Sequence, residues 1–338
     1  MGECSVAIVM PAFNAALLLP EVLPAVLRAA GGATVLVVDP GSSDGTAQTA
    51  EQLGARVVRL PHPAGPARAR NIGVAHVEEN VVLFLDADCV PRADVVERVR
   101  AAFAAAPELV CLSGSYDDSP RDPGFFSQYM NLRHHYTHHR AQREDATFWA
   151  GCGAVRRDAF LAVGGFDAQR FPRPQIEDIE LGYRLRRVGR ARLDPELQVQ
   201  HLKRWTLRGA VYTDIVERGV PWSELMLEQG EVPNDLGLGT SQRIAAGLAP
   251  VALLSIPALV VALLTARGAM TLAALLVLGA SLGLQRDFVA QLARLRGPGF
   301  AARAWAFHQV HLSYSGFTFA ACWLRHRLRT ARRSKSSA

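Results

Sequence analysis

Short apolar runs alternate with amphipathic stretches over the first hundred residues of this 338-residue chain. The runs VAIVM, TVLVVD, RVVRL and VVLFLD are typical of strands, and the segments between them carry helix start and stop signals. A strand that is apolar on both faces needs a sheet that is covered on both faces. The pattern therefore predicts an α/β fold, with a mostly parallel sheet sandwiched by helices.

Ligands of such sheets bind at the carboxyl ends of the strands. At one of these ends, VVLFLDADCV places Asp86 and Asp88 directly after an apolar run. If this segment is extended, both side chains point the same way and repel unless a cation lies near them. Mg²⁺ and Mn²⁺ take carboxylate oxygens and bridge to phosphates, so the pair predicts a metal–diphosphate site. A capped turn before Pro91 is the alternative interpretation.

Two further segments place polar side chains near the same edge of the predicted sheet. VVDPGSSDGT ends a strand in Asp39, which we expect to accept hydrogen bonds from a base or ribose, unless it only shapes a βα turn. GPARARNIG places Arg68 and Arg70 on a short helix beside that edge. Either arginine could face phosphate, and a solvated surface arginine is the simpler alternative.

Six motifs occur in a fixed order along the chain: VMPAFNAA, VVDPGSSDGT, ARARNIG, LFLDADCVP, GGFD and EDIELGYRL. As an ordered set they resemble glycosyltransferase family 2, in particular its membrane-associated, bacterial-type members, over roughly residues 5–225. The resemblance implies the type A fold (GT-A) of nucleotide-diphospho-sugar transferases. It also implies metal-dependent transfer of a sugar, such as a hexose, from a nucleotide-diphosphate donor, with inversion at the anomeric carbon.

The resemblance also implies roles for individual residues. Asp178, in IEDIE, matches the catalytic base, and Glu177 lies beside it. Together with Arg70, the donor-binding residues are then Pro11, Phe13, Asn14, Asp39 and Asp86. Asp88 and His201 match the positions that hold Mg²⁺ or Mn²⁺. The acceptor-side residues are Trp149, Gly151, Cys152, Arg204 and Trp205, with packing as the alternative role of Trp205.

Inverting transfer is a single displacement, in which a base removes the proton of the acceptor hydroxyl and a metal stabilises the departing diphosphate. The adjacent carboxylate of Glu177 would raise the pKa of Asp178, whereas the amino end of a helix would lower it. The sequence leaves the net direction open. Helix capping by Asp178 is the alternative to the catalytic role.

Other classes of protein and site fit parts of the chain. VLFLDADCV also matches haloacid-dehalogenase-like phosphohydrolases, with Asp86 as nucleophile, although a complete βαβ series precedes it here. A sugar-nucleotide-binding protein without catalysis is a third class. NLRHHYTHHR has histidines at i and i+4, which could bind a metal or face an acceptor. The five scattered cysteines indicate reduced thiols, and no nucleic-acid motif occurs.

The carboxyl-terminal third of the chain predicts membrane association. Residues 244–266 are uncharged and long enough to cross a bilayer, and 268–285 form a second, shorter candidate. A buried helical pair is the alternative. The predicted organisation is a catalytic domain at 1–230, a linker at 231–243, a transmembrane hairpin at 244–285, amphipathic or interfacial helices at 286–325 and a basic tail at 326–338.

The predicted orientation follows from both ends of the chain. The amino terminus has no basic segment before its apolar run, so we expect a first strand there and not a signal peptide. The tail RHRLRTARRSK has no acidic residue, which favours contact with anionic lipid head groups. We therefore expect a cytoplasmic (inner or plasma) membrane protein whose catalytic domain faces the cytoplasm. Its partners would be a nucleotide-diphosphate sugar and a lipid or lipid-linked acceptor.

Overall fold

The computed structural model describes residues 4–230 and 239–336. They form two compact units, which divide between Trp205 and Thr206. The strands, all in the first unit, are β1 (Val6–Pro11), β2 (Thr34–Asp39), β3 (Arg56–Arg59), β4 (Val81–Leu85), β5 (Cys89–Pro91), β6 (Leu109–Tyr116), β7 (Cys152–Arg156) and β8 (Arg190–His201). Its helices are α1 (Leu19–Ala30), α2 (Thr46–Gln52), α3 (Pro66–Ala75), α4 (Val95–Ala105), α5 (Phe125–Arg140), α6 (Arg157–Ala162) and α7 (Glu177–Leu185).

The strands form a single sheet in the order β3-β2-β1-β4-β7-β6-β8-β5. Strands β3, β2, β1 and β4 are parallel, and β6 is parallel to β8. Strand β7 is antiparallel to both of its neighbours, and β5 is antiparallel to β8. The predicted α/β class and the helix-covered sheet are confirmed. The sheet is mixed, because β7 enters it in the reverse direction between β4 and β6.

Strand β4 shows why the sheet must be covered on both faces. Val81, Leu83 and Leu85 enter one buried cluster, which includes residues of α1 and α4. Val82 and Phe84 enter the cluster on the opposite face, which includes residues of α3 and α7. All five side chains of β4 are fully buried. An apolar run without alternation is the sequence signal of such a strand.

Helix boundaries in this unit follow local signals. Helix α1 ends where Gly31 adopts a left-handed conformation with φ 52°, as the glycine pair after it predicted. Helix α3 begins with Pro66, whose missing N–H has no partner to lose at that position. The segment RARLDPELQVQH forms the single strand β8, which pairs with both β6 and β5.

The second unit is helical in its described part. It consists of α8 (Leu207–Tyr212), a π-helix (Thr213–Gly219), α9 (Val220–Gln229), α10 (Thr240–Leu264), α11 (Gly268–Leu284), α12 (Arg286–Arg296) and α13 (Pro298–Ser336). Helix α10 packs against α11 and α13, and α13 also packs against α9 and α12. Within the described residues, α10 is the one helix long and apolar enough to cross a membrane. Two spans result if α11 and α12, bent by 74° at their junction, count as one.

The predicted domain boundaries can be placed on this architecture. The division at Trp205 precedes the predicted boundary at residue 230, because α8, the π-helix and α9 belong to the helical unit. Most of the predicted linker, residues 231–238, lies outside the described residues, as do residues 337–338 of the basic tail. The described part of that tail continues α13.

Candidate active site

The segments after β1 and β2 are joined by hydrogen bonds at the carboxyl edge of the sheet. Asn14, which has φ 48°, donates its backbone N–H to Ser42 Oγ at 2.9 Å. In return, its Oδ1 accepts the N–H of Ser43 at 3.1 Å. Asn14 is one of the few residue types that adopt a left-handed conformation readily. The two loops therefore hold each other in place.

The predicted donor residues of these strands lie together at that edge. Pro11 and Asp39 are the last residues of the adjacent strands β1 and β2. Asp39 is buried, and its Oδ1 accepts the N–H of Ser42 at 2.8 Å. Phe13 presents a side chain that is 52% exposed, so an aromatic surface borders the loop. An exposed aromatic ring beside a buried carboxylate offers both stacking and hydrogen bonding to a planar base.

The conformation predicted for Asp86 and Asp88 is wrong. The backbone N–H of Cys89 donates to the carbonyl of Asp86 at 3.0 Å, so residues 86–89 form a turn and not an extended segment. The chain must turn here because β4 ends at Leu85 and β5 begins at Cys89, on the far edge of the sheet. The two carboxylates consequently have different partners.

Asp88 pairs with the predicted second metal residue, His201. The antiparallel register of β5 and β8 places Cys89 opposite His201, and the Nε2 of the histidine lies 3.3 Å from Asp88 Oδ2. Burial alone would raise the pKa of Asp88, but the hydrogen bond and charge of His201 lower it below its ordinary value. The imidazole ring of His201 stacks on Tyr116 with ring centroids 4.3 Å apart.

The donor atoms of Asp88 and His201 fit a metal that the substrate helps to hold. A carboxylate oxygen and an imidazole nitrogen both suit Mn²⁺, and carboxylate suits Mg²⁺. Within residues 4–230 and 239–336, no group of three His, Cys, Asp or Glu side chains is placed to hold an ion. Two protein ligands leave the other positions to phosphate oxygens and water, which is usual for Mg²⁺ in phosphate chemistry.

Asp86 pairs with Arg70 on the opposite side of the turn. The Nη2 of Arg70 lies 2.6 Å from Asp86 Oδ1, and its Nη1 lies 3.0 Å from Glu177 Oε1. The side chain of Arg70 is 5% exposed, and its guanidinium carbon lies 5.5 Å from the ring centroid of Phe166. The sequence placed Arg70 near this edge but not between two carboxylates.

Asp178 lies in the first turn of α7 and contacts the segment before β7. Its Oδ2 accepts the N–H of Ala150 at 3.1 Å, and its Oδ1 accepts the N–H of Ile179 at 2.8 Å. The N-cap position of α7 is Ile176, so simple capping by Asp178 does not describe its role. Desolvation, followed by the charge of Glu177, raises the pKa of Asp178 to about 6. Desolvation and the neighbouring charge therefore outweigh the effect of the helix terminus.

A short backbone segment connects the two halves of the site. Ala150 donates its N–H to Asp178, and the next residue, Gly151, accepts the N–H of Asp86 on its carbonyl at 3.3 Å. A Cβ at Gly151 would lie 2.5 Å from the indole ring of Trp149, so this position requires glycine. The candidate base and the donor-side turn are thus fixed on either side of one dipeptide.

The remaining acceptor-side residues occupy different environments. Trp149 packs its ring against Tyr116, with centroids 4.8 Å apart, close to the Ala150–Asp178 contact. Cys152 is fully buried in β7, where burial raises the pKa of its thiol. Trp205 is buried and donates its backbone N–H to Ser127 Oγ. The side chain of Arg204 is 83% exposed and lies 3.8 Å from Asp122.

Tyr116 is a site residue that motif reasoning missed. It ends β6, contacts the rings of both His201 and Trp149, and also lies 4.4 Å from the ring centroid of His134. The available signal was its position at the end of the apolar strand LVCLSGSY, where the sheet binds ligands. The i, i+4 histidines of α5 therefore pack into an aromatic cluster beside the site.

The mixed sheet and its covering helices have the GT-A fold, as two solved structures show. Mannosyltransferase PcManGT from Pyrobaculum calidifontis, solved with GDP-Man and Mn²⁺, is 18% identical with a TM-score of 0.54, covering 93% of this chain and 86% of its own. TarS 1–349 of S. aureus, solved with UDP-GlcNAc, is 14% identical with a TM-score of 0.52, covering 92% and 90%. At these identities the likeness shows the fold alone.

Residues 7–164 match the family model of glycosyl transferase family 2. This match covers slightly under half of the chain, and it favours the glycosyltransferase family over the phosphohydrolase alternative. The pre-mycofactocin glycosyltransferases of Mycobacterium tuberculosis strains CDC 1551 / Oshkosh and ATCC 25618 / H37Rv are each 31% identical over 205 residues. These alignments cover 54% of this chain and 41% of each relative, so the match spans less than half of the relatives' length.

Proposed function

We propose that this protein transfers a sugar from a nucleoside-diphosphate sugar to an acceptor hydroxyl, with inversion at the anomeric carbon. The observation that carries the proposal is the position of Asp178. Its carboxylate accepts the N–H of Ala150, and the carbonyl of the next residue, Gly151, accepts the N–H of Asp86. A pKa raised to about 6 leaves Asp178 ionised at neutral pH yet basic enough to accept a proton.

The proposed reaction is a single displacement. Asp178 accepts the proton of the acceptor hydroxyl while that oxygen attacks the anomeric carbon of the donor. The bond between this carbon and the diphosphate oxygen breaks with its electron pair, and the nucleoside diphosphate leaves. The side chain of Asp178 is half-buried. Its desolvation raises the pKa of the carboxyl group, and its exposed part is accessible to the acceptor hydroxyl.

Donor binding is proposed at the carboxyl ends of β1, β2 and β4. The exposed ring of Phe13 and the buried carboxylate of Asp39 suit the nucleoside, with Pro11 and Asn14 shaping the loop. Asp88 and His201 would hold Mn²⁺ or Mg²⁺, and such an ion, when bound, neutralises charge that develops on the leaving diphosphate. PcManGT and TarS bind donors that differ in base and sugar, so the donor itself is left open.

The acceptor is proposed to be a lipid or lipid-linked hydroxyl presented at a membrane surface. Helix α10 supports this proposal, because only 22% of its most apolar window is buried, unlike the core helix of a soluble protein. Its exposed side chains include Leu254 and Leu264, at 71% and 82%. The arginines that follow Trp323 on α13 add charge suited to anionic head groups. We propose the cytoplasmic face, where nucleotide sugars would meet the catalytic unit.

The decisive experiment is a screen of nucleotide sugars with the full chain in detergent or lipid. We expect Mn²⁺- or Mg²⁺-dependent release of nucleoside diphosphate with one or a few donors, and product formation with membrane extracts as the acceptor source. Transfer to soluble acceptors alone would remove the lipid proposal. Binding of a nucleotide sugar without any transfer to these acceptors would favour a non-catalytic binding protein.

Substitution of the candidate base tests the assigned chemistry. Asp178→Asn removes the proton acceptor and preserves the shape of the side chain, so we expect loss of transfer with retention of nucleoside-diphosphate binding. Asp158→Asn is the matched control, because Asp158 is also a first-turn acid, in α6, and is exposed. Turnover by Asp178→Asn at the rate of the control would show that another group is the base.

A further inference from the structure

Arg70 contacts both halves of the proposed site at once. Its two terminal nitrogens bind Asp86, 16 positions later in the chain, and Glu177, 107 positions later. The three residues belong to α3, to the turn after β4 and to the start of α7. One guanidinium group therefore connects three segments that the sequence separates widely.

The burial of Arg70 makes these contacts obligatory. The side chains of Arg70 and Glu177 are 5% and 6% exposed. Without the guanidinium, the carboxylate of Glu177 would be a buried charge with no neutralising ion pair, next to the carboxylate of Asp178. Removing one member of a buried ion pair is far more damaging than replacing the whole pair.

Because Arg70 is buried, it does not fit the donor-binding role that the sequence predicted for it. Both terminal nitrogens already face carboxylates, and 5% exposure leaves almost no surface for a diphosphate. The group that faces the donor side is Asp86, whose side chain is 35% exposed. Arg70 is thus placed to act on the donor through Asp86 and on the base through Glu177.

We propose that Arg70 is a positioning residue that ties the donor-side turn at Asp86 to the acid pair Glu177–Asp178. The planar fork of an arginine fixes two carboxylates in one geometry, which the point charge of a lysine does not. In this arrangement Glu177 is not a second base. Its carboxylate is held by Arg70, and its charge next to Asp178 raises the pKa of Asp178.

The charges around Asp178 give the proposal a distinctive signature. The charged groups that act on its carboxylate are Glu177 on its own helix and Arg70 on α3, together with the N–H dipoles of Ala150 and Ile179. Glu177→Gln removes a negative neighbour, so the pKa of Asp178 should fall. Arg70→Met removes a positive neighbour, so the acid pair should hold a proton to higher pH.

The test rests on the proposed function and uses the full chain. We expect the acid limb of kcat/KM to move down by about one pH unit in Glu177→Gln and up by about one unit in Arg70→Met. Loss of geometry should also lower kcat/KM of Arg70→Met about a hundredfold and raise its KM for the donor. Arg70→Lys should recover part of the activity, and Arg28→Met, on an exposed arginine in the last turn of α1, should change neither quantity.

A double variant separates positioning from simple loss of stability. If Arg70 serves Glu177, Arg70→Met/Glu177→Gln should bind nucleoside diphosphate more tightly than Arg70→Met alone, since Glu177 then no longer leaves a buried charge without its partner. Additive effects, or limbs that move in the same direction, would overturn the proposal. Should the wild type transfer no sugar, the carboxyl ¹³C titration of Asp178 still tests it. If the pKa of Asp178 is unchanged in both single variants, the positioning role of Arg70 is refuted. If the pKa shifts in opposite directions in the two variants, the positioning role is supported and only the proposed reaction is wrong.

Discussion

At the scale of single residues, the proposed chemistry depends on the ionisation of Asp178. A carboxyl group in water would be ionised well below pH 5, and therefore would be a weak proton acceptor at neutral pH. Desolvation and the neighbouring Glu177 bring its pKa to about 6, close to neutral pH, which suits a general base. The base must be unprotonated to act, which fixes the sign of the pH dependence.

We expect kcat/KM to be constant above about pH 7 and to fall tenfold per pH unit once the pH drops below about 6. The measurement is initial-rate kinetics at saturating metal between about pH 5 and 8. A profile that stays flat down to about pH 5 would contradict the assignment, because it would require a base with the ordinary pKa of an aspartate.

The pair Asp88 and His201 supplies a second prediction at this scale. Asp88→Asn and His201→Gln should each weaken Mn²⁺ binding by about 10- to 100-fold. Each change removes one of the two proposed ligands and the contact that orients the other. Electron paramagnetic resonance of Mn²⁺ in the presence of nucleoside diphosphate measures this directly, without turnover. His62→Gln is the control, because His62 is exposed on a loop. Equal affinities in all three variants would exclude this metal site.

At the scale of elements, the position of α7 depends on one glycine. A Cβ at Gly182 would lie 2.6 Å from the backbone nitrogen of Phe148, so α7 lies directly on the segment that leads to Trp149 and Ala150. Alanine is the better helix former by about 1 kcal/mol. The close approach to backbone atoms outweighs this preference, because any shift of α7 or of the segment at Phe148 would also move Asp178.

Gly182→Ala should therefore lower both the thermal unfolding temperature and kcat, with a smaller change in donor KM. The reason is that α7 carries the proposed base, whereas the proposed donor loops follow β1 and β2. Gly247→Ala is the matched control, because Gly247 also lies within a helix and a Cβ there meets nothing within 4 Å. An unchanged kcat in Gly182→Ala would mean that α7 tolerates the displacement.

The elements themselves were largely predictable, because local patterns determine them. The apolar run of β4 and the glycine after α1 each predicted the observed structure. The turn at Asp86 was only the alternative interpretation, and the local pattern could not decide for it, since it follows from the pairing of β5 with β8 more than a hundred residues later. The same holds for the Arg70–Glu177 contact and for the stacking of Tyr116 on His201. Sequence patterns predicted candidate site residues, whereas the contacts of those residues depend on long-range topology.

At the scale of the whole molecule, the helical unit exposes an apolar surface that water does not favour. Leu254, near the middle of α10, is 71% exposed. An acidic residue at the centre of a membrane helix costs about 3 kcal/mol on insertion scales. Leu254→Asp should therefore move part of the protein out of the membrane fraction, as measured by fractionation and immunoblotting.

The control for this change is Leu17→Asp, which replaces a leucine that is 96% exposed in the first unit. We expect it to leave fractionation unchanged, because an isolated exposed leucine on a soluble surface contributes little. If both variants, and the wild type, are recovered without detergent, the surface of α10 is covered by protein and not by lipid.

The dipeptide Ala150–Gly151 has a consequence for how this site can diverge. It holds Asp178 and Asp86 through its main chain alone, by one N–H and one carbonyl. Main-chain atoms are untouched by most point mutations, so substitutions of Trp149, a proposed acceptor-side residue, should change the acceptor without changing the spacing between the donor-side turn and the proposed base. Proline at 150 would break this spacing by removing the N–H, and a side chain at 151 would meet the indole as long as Trp149 is present. We therefore expect acceptor preference to evolve faster here than the reaction itself.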